Sequence, residues 1–321
     1  MAARGRLAPS PTGALHLGNA RTFLLAWLSV RSQGGTMILR VEDLDGPRVK
    51  PEATAAMLHD LRWLGLDWDE GPDVGGPFQP YVQTERVALY EEALQRLRSR
   101  RLVYPCVCSR SDIQAAASAP HAGEEGPRYP GTCRDRFGDG AEAELQGGRS
   151  PAWRLRVPAE SITFDDGFHG PMSIDVDQQV GDFVVQKNSG TAAYQLSVVV
   201  DDEAMNVSEV VRGDDLLAST PRQILLQRFL GYPTPRYFHV PLVIGPDGKR
   251  LAKRHGDTRI SAFREAGVPA RRLVGLLANW SGLAAENETV SPSELVSRFD
   301  WSLVPHEPIV CDREIAFAHL K

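Results

Sequence analysis

Arg6-Leu-Ala-Pro-Ser-Pro-Thr-Gly-Ala-Leu-His-Leu-Gly-Asn-Ala-Arg21 is the stretch around which the chain is organised. A short apolar edge passes through two prolines and Gly13 to His16-Leu17-Gly18-Asn19. A strongly apolar helical pattern follows at once (Phe23, Leu24, Leu25, Trp27, Leu28). A proline-rich turn feeding a helix N-terminus is a place to hold phosphates, because the first backbone N–H groups lack helical partners and the dipole favours negative charge. Gly18 lets a nucleotide approach the backbone, and His16 and Asn19 add side-chain donors. In isolation a His-x-Gly would be a surface histidine on an ordinary strand–turn–helix; the whole string carries the weight.

Composition bounds the rest. With 321 residues, 42% hydrophobic and 24% charged, the chain can bury a full core and make one large domain or two. Its longest apolar runs are far too short to span a bilayer, and no secretory leader precedes the opening motif, so the reading expects no membrane and a reducing cytoplasm. A net charge of −5 advertises no nucleic acid globally, so any RNA partner needs a local basic face. Only five of the 36 basic residues are lysine, yet Lys249 and Lys253 share one loop.

Met37-Ile38-Leu39-Arg40-Val41 reads as a buried parallel strand that delivers Glu42 to its carboxyl end, where ligands sit in open α/β sheets. Helices are expected over about 19–33, 52–64 and 84–100. The last ends in Arg96, Arg98, Arg100 and Arg101, which suit either its own C-terminus or an RNA backbone. Ser111–Gln114 and Thr220–Gln223 read as capping boxes, and Ser291-Pro292 as a helix start. Leu196–Val200 fits a buried strand or a buried helix. Cys106-x-Cys108, with Cys133 beyond a loop, has the spacing of a structural zinc site that needs a fourth ligand, for which His121 is the conventional chemical choice. Cys311 is a plain thiol. Val207–Asp215 reads as a strand ending in Arg212, whose planar fork suits a carboxylate. Arg6, Arg212 and Glu42 match the charges of a dicarboxylic amino acid, with Ser10 and Tyr194 adding hydrogen bonds. Gly245–Gly256 is a glycine-bounded cationic loop able to close over a triphosphate.

The opening string resembles the first signature of the glutamyl-type class I aminoacyl-tRNA synthetases, and Arg250-Leu-Ala-Lys-Arg254 resembles their second, with Arg250 and Ala252 departing from the usual Lys and Ser and Lys253 kept. The resemblance implies a Rossmann-like α/β class I core with a zinc-containing insertion, a short helical C-terminal part and no anticodon-binding domain. Its parts would be 1–104 (first half of the core), 105–190 (insertion of acceptor type), 191–256 (second half with the lysine loop) and 257–321 (truncated helical region). It implies glutamate contacts at Arg6, Leu7, Ala8, Pro9, Ser10, Glu42, Tyr194 and Arg212, ATP contacts at His16, Gly18, Asn19 and Lys253, and His16, Asn19 and Lys253 as the groups acting on the phosphates. It also favours Tyr129 over His121 beside Cys106, Cys108 and Cys133 as a Zn²⁺ ligand.

Together with the Cys-x-Cys…Tyr-x₃-Cys pattern and the missing helical domain, the chain is similar to the truncated glutamyl-queuosine branch. That implies a monomer which activates L-glutamate with ATP, with Mg²⁺ expected, and transfers it to the queuosine base of tRNA(Asp). The alternatives are charging of tRNA(Glu) at its 3′ end and a non-catalytic tRNA-binding relative.

Overall fold

A computed structural model describes residues 2–44, 49, 51–116, 128–249, 251 and 257–311. Strand β1 (Arg4–Leu7) is followed by helix α1 (Leu17–Ser32), strand β2 (Thr36–Leu39), helix α2 (Pro51–Trp63) and helix α3 (Val87–Ser99). Strand β3 (Val103–Cys106) and helix α4 (Arg110–Ala116) precede helix α5 (Gly140–Gly147), strands β4 (Ala152–Leu155), β5 (Ser161–Asp166) and β6 (Gly170–Asp175), helix α6 (Val176–Gln179) and strand β7 (Val184–Gln186). Helix α7 (Tyr194–Ala204), strand β8 (Glu209–Gly213), helix α8 (Ser219–Leu230), strand β9 (Arg236–Val240) and strand β10 (Val243–Ile244) come next. The described chain closes with helices α9 (Ile260–Glu265), α10 (Ala270–Asn279) and α11 (Pro292–Leu295) and strand β11 (Ile309–Val310).

The opening βαβ unit forms as its sequence dictates. β1 and β2 pair in parallel from Arg4↔Thr36 to Leu7↔Leu39, and α1, buried over much of its length, covers them. Gly34 takes the left-handed conformation that ends α1 (φ 62°). Gly35 is needed for a different reason, since a Cβ there would stand 2.3 Å from the Ala3 carbonyl oxygen. β8 and β9 form a second parallel pair, Glu209↔Arg236 to Gly213↔Val240. The Ser208 N–H donates to the Arg4 carbonyl at 2.9 Å, which sets β8 beside β1 and brings their carboxyl ends together. β5 joins β9 in parallel at Asp166↔Tyr237 and folds back as a hairpin with β6. β3, β4 and β7 form a separate antiparallel sheet.

Several local expectations shift. Leu196–Val200 is helical, inside an α7 buried on nearly every face; period alone cannot separate such a segment from a buried strand. Tyr194 is the first residue of that helix. Thr220 does not cap α8: the helix starts at Ser219 without a side-chain cap, and the Thr220 hydroxyl is turned inward to Arg212 and His239. The cap of α4 lies two residues earlier than expected, with Ser109 and Asp112 exchanging bonds. Ser291 and Glu294 do form a capping box on α11. Three of the four arginines at the end of α3 contact the protein itself. Arg96 and Arg100 donate to the carbonyls of Leu230 and Phe229, and Arg98 lies 4.0 Å from the centre of the Trp153 ring. No described helix is long and apolar enough to cross a membrane.

Candidate active site

The carboxyl ends of β1, β2 and β8 and the start of α1 surround a cavity of about 580 Å³. Arg6, Ala8, Pro9, Ser10, Glu42, Tyr194 and Arg212 line it together with His16, Gly18 and Asn19. Leu7 does not: strand alternation turns it into the hydrophobic core, with no exposed surface. Lys253, Arg250, Ala252 and His121 lie outside the described residues. Leu251, between Arg250 and Ala252 in the sequence, does line the cavity.

At one end of the cavity the first helical bond of α1 runs from the Ala20 N–H to the His16 carbonyl, so the Gly18 and Asn19 N–H groups precede the helical ladder. His16 Nδ1 is 3.1 Å from the Thr258 hydroxyl. A Cβ at Gly18 would make only ordinary contact with Val243, at 3.6 Å, so packing against the protein does not demand glycine there.

At the other end the charges are arranged in depth. Arg40, sealed from solvent, donates to Asp202 at 2.7 Å and to Glu42 at 3.0 Å, with Asp201 at 3.8 Å. Burial lowers its affinity for a proton, but these carboxylates more than offset that and raise its pKa. Arg6 stands 3.6 Å from Asp202, and Arg86 holds Asp201 at 2.6 Å. Only Oε1 of Glu42 is engaged by Arg40. Burial pushes the Glu42 carboxyl up, against the pull of Arg40 and Arg6. An ammonium group bound beside it would favour its ionised form. Arg212, at the end of β8, makes two neutral contacts, Nε to His239 at 3.0 Å and Nη2 to the Thr220 hydroxyl at 2.7 Å. Its Nη1 is buried and has no partner among the described residues.

Sequence reasoning did not single out Arg40, Asp201, Asp202, Asp166 or His239. A charged residue inside the apolar run Met37–Val41 was the available signal for Arg40, since a buried parallel strand carries one only when it is paired.

A second cluster lies apart from the cavity. The Sγ atoms of Cys106, Cys108 and Cys133 fall within 4.8 Å of one another, and the Tyr129 hydroxyl is 3.3 Å from Cys106 and 3.7 Å from Cys108. Ligand atoms around a tetrahedral ion with bonds of about 2.3 Å are about 3.8 Å apart, so the four donors fit one metal. Arg154 donates to Cys106 at 3.3 Å and stacks 3.8 Å from the centre of the Tyr129 ring, placing a cation beside these donors. Hydrogen bonding from Tyr129 and the charge of Arg154 outweigh burial and lower the Cys106 pKa. Burial pushes Cys108 up to about 12.

Fold and cavity together define a class I synthetase core. The sequence matches the family described as tRNA synthetases class I (E and Q), catalytic domain, over residues 2–315. A protein of Symbiobacterium thermophilum named glutamyl-Q tRNA(Asp) synthetase is 53% identical over 306 residues, covering 95% of this chain and 94% of its own length. One of that name from Nitratidesulfovibrio vulgaris is 48% identical, covering 97% and 96%. A glutamate–tRNA ligase of Symbiobacterium thermophilum is 40% identical, and the match spans 98% of this chain but 66% of the ligase. The crystal structure of a glutamate tRNA ligase from Elizabethkingia meningosepticum in complex with its amino acid superposes with a TM-score of 0.85 at 27% identity, over 99% of this chain and 69% of that one. The chain belongs to the class I glutamate- and glutamine-type tRNA synthetases, a ligase family, in the branch whose members are named glutamyl-Q tRNA(Asp) synthetase.

Proposed function

We propose that the protein activates L-glutamate with ATP and transfers the glutamyl group to the queuosine base at the first anticodon position of tRNA(Asp). The observation that carries the activation step is the presence, in one cavity, of Arg212 with its buried Nη1 unpartnered and of Glu42 with its Oε2 not engaged by Arg40, near a helix N-terminus. A glutamate carboxylate meets the guanidinium and its ammonium meets Glu42, which leaves the α-carboxylate towards α1. Its oxygen attacks the α-phosphorus of ATP, the bond to the β,γ-phosphates breaks and pyrophosphate leaves. Gly18 and Asn19 N–H groups, His16 and Lys253 balance the phosphate charge. Catalysis is positioning and electrostatics. A hydroxyl of the modified base then attacks the acyl carbon and AMP leaves. Mg²⁺ enters as the counter-ion of the nucleotide, since it is normally held through substrate phosphates.

Cys106, Cys108, Cys133 and Tyr129 would hold one Zn²⁺, a structural ion that cross-links the loop between β3 and β4 and takes no part in the reaction. The near full-length match to relatives named for tRNA(Asp) supports the acceptor.

Glutamate-dependent ATP–pyrophosphate exchange without tRNA tests the first step, and tRNA(Asp) with and without queuosine tests the second. Exchange appearing only with tRNA(Glu) would move the assignment to 3′-end charging. Absence of exchange under every condition would leave a non-catalytic relative.

A further inference from the structure

Among the described residues, Arg212 is held differently from Arg6 and Arg40. Arg40 and Arg6 face carboxylates, whereas no carboxylate lies within ion-pair distance of Arg212 among the described residues. Its Nε–H and the Thr220 hydroxyl both converge on His239 Nε2, each at 3.0 Å. Behind the imidazole, His239 Nδ1 lies 2.6 Å from Asp166 Oδ2. The other Asp166 oxygen accepts the backbone N–H groups of Phe168 at 3.0 Å, His169 at 2.9 Å and His239 at 3.3 Å, which fixes the carboxylate in place. All four side chains are buried.

The donor inventory permits one arrangement. An ionised Asp166 can only accept, so Nδ1 carries the proton; two donors meet at Nε2, so Nε2 carries none. We propose that Asp166 and His239 are positioning residues that lock this tautomer, hold the Arg212 fork by a neutral acceptor, and so reserve its charge for a substrate carboxylate at Nη1. The proposal rests on the reading that Arg212 receives that carboxylate. A carboxylate in place of the imidazole would hold the fork equally well but would neutralise it before substrate arrived.

The test is pyrophosphate exchange with the full chain, read separately for glutamate and ATP. Asp166→Asn keeps the volume but puts a donor against Nδ1, drives the proton to Nε2 and turns it against the guanidinium. It should raise the glutamate KM about tenfold or more and leave the ATP KM within about twofold. His239→Leu should do the same. His239→Gln, which can accept from Arg212 and donate to Asp166, should stay within about threefold of the parent. In the unaltered protein, ¹⁵N NMR of the imidazoles, with the His239 signal identified by its loss in His239→Gln, should report the Nδ1–H tautomer whether or not the other variants fold. The relay is overturned by an Nε2–H tautomer, by a glutamate KM unmoved in Asp166→Asn and His239→Leu, or by equal rises for glutamate and ATP that His239→Gln does not relieve. Arg212→Ala separates the two levels: if exchange survives it unchanged, Arg212 is not the carboxylate ligand and the underlying reading fails on its own account.

Discussion

The Arg40 guanidinium lies 2.7 Å from the Asp202 carboxylate, and both groups are buried beneath the cavity floor. Removing the cation takes the closest partner from Asp202 and from Oε1 of Glu42 in a low-dielectric setting, while Asp201 keeps Arg86. Arg40→Met should lower stability by about 3–5 kcal/mol, the usual cost of orphaning a buried ion-pair partner, seen as a fall in the urea midpoint. The same variant should regain part of that loss on mild acidification, when the stranded carboxyls take up protons.

His239 makes stability pH-dependent in a defined window. Burial, outweighing its bond to Asp166, lowers its pKa from the ordinary 6.5 to about 4. Above 6.5 it is neutral in both folded and unfolded chains and contributes no slope. Between 6.5 and about 4 the unfolded chain binds a proton that the folded chain refuses, so stability falls as pH falls, by roughly 3 kcal/mol across the window. Asp166, held below its ordinary 3.8 chiefly by the His239 bond against burial, gives up its own contribution only at still lower pH. Urea titrations at pH 7 and pH 5 should show the loss in the parent and a smaller loss in His239→Gln.

One metal ion per chain should be found by elemental analysis. Cys133→Ser should abolish it and lower Tm, because the small core of Tyr104, Val107, Phe137 and Ala143 packs around those ligands. No ligand of that site lines the cavity, so the glutamate KM in pyrophosphate exchange should stay within about twofold. A tenfold rise would tie the two sites together.

Gly275 sits within α10, where Ala normally adds about 1 kcal/mol over Gly. Here a Cβ would stand 1.8 Å from the Glu288 carbonyl oxygen, and backbone cannot step aside cheaply. Gly275→Ala should cost about 1–3 kcal/mol, measured by thermal unfolding.

The opening βαβ unit was legible because its signals are local: an apolar edge, an apolar helix and an apolar strand, in that order. The residues around the cavity were legible for a different reason, since Arg6–Asn19, Glu42 and Arg212 sit in contiguous motifs. Arg40, His239 and Asp166 act by contacts across the chain, His239 reaching Asp166 over 73 positions, and no spacing rule reports such a pair. Thr220 misled because Thr-Pro-Arg-Gln has the form of a helix cap, whereas the demand of a buried guanidinium for an acceptor outweighed that preference. Leu196–Val200 stayed open between two readings because an all-round buried helix has the composition of a strand.

Asp201 and Asp202 also set a timetable. The first accepts hydrogen bonds from Gln83, Arg86 and Tyr90, and the second lies 162 positions after Arg40 in the chain. At about 5–20 residues per second on the ribosome, Arg40 is made roughly 8–30 s before its counter-ion. Through that interval Arg40 has Glu42 but neither Asp202 nor Asp201, and Arg86 lacks Asp201, so the first half cannot close its interior fully around them. Packing around Arg40 and Arg86 must therefore wait for the ribosome to deliver α7.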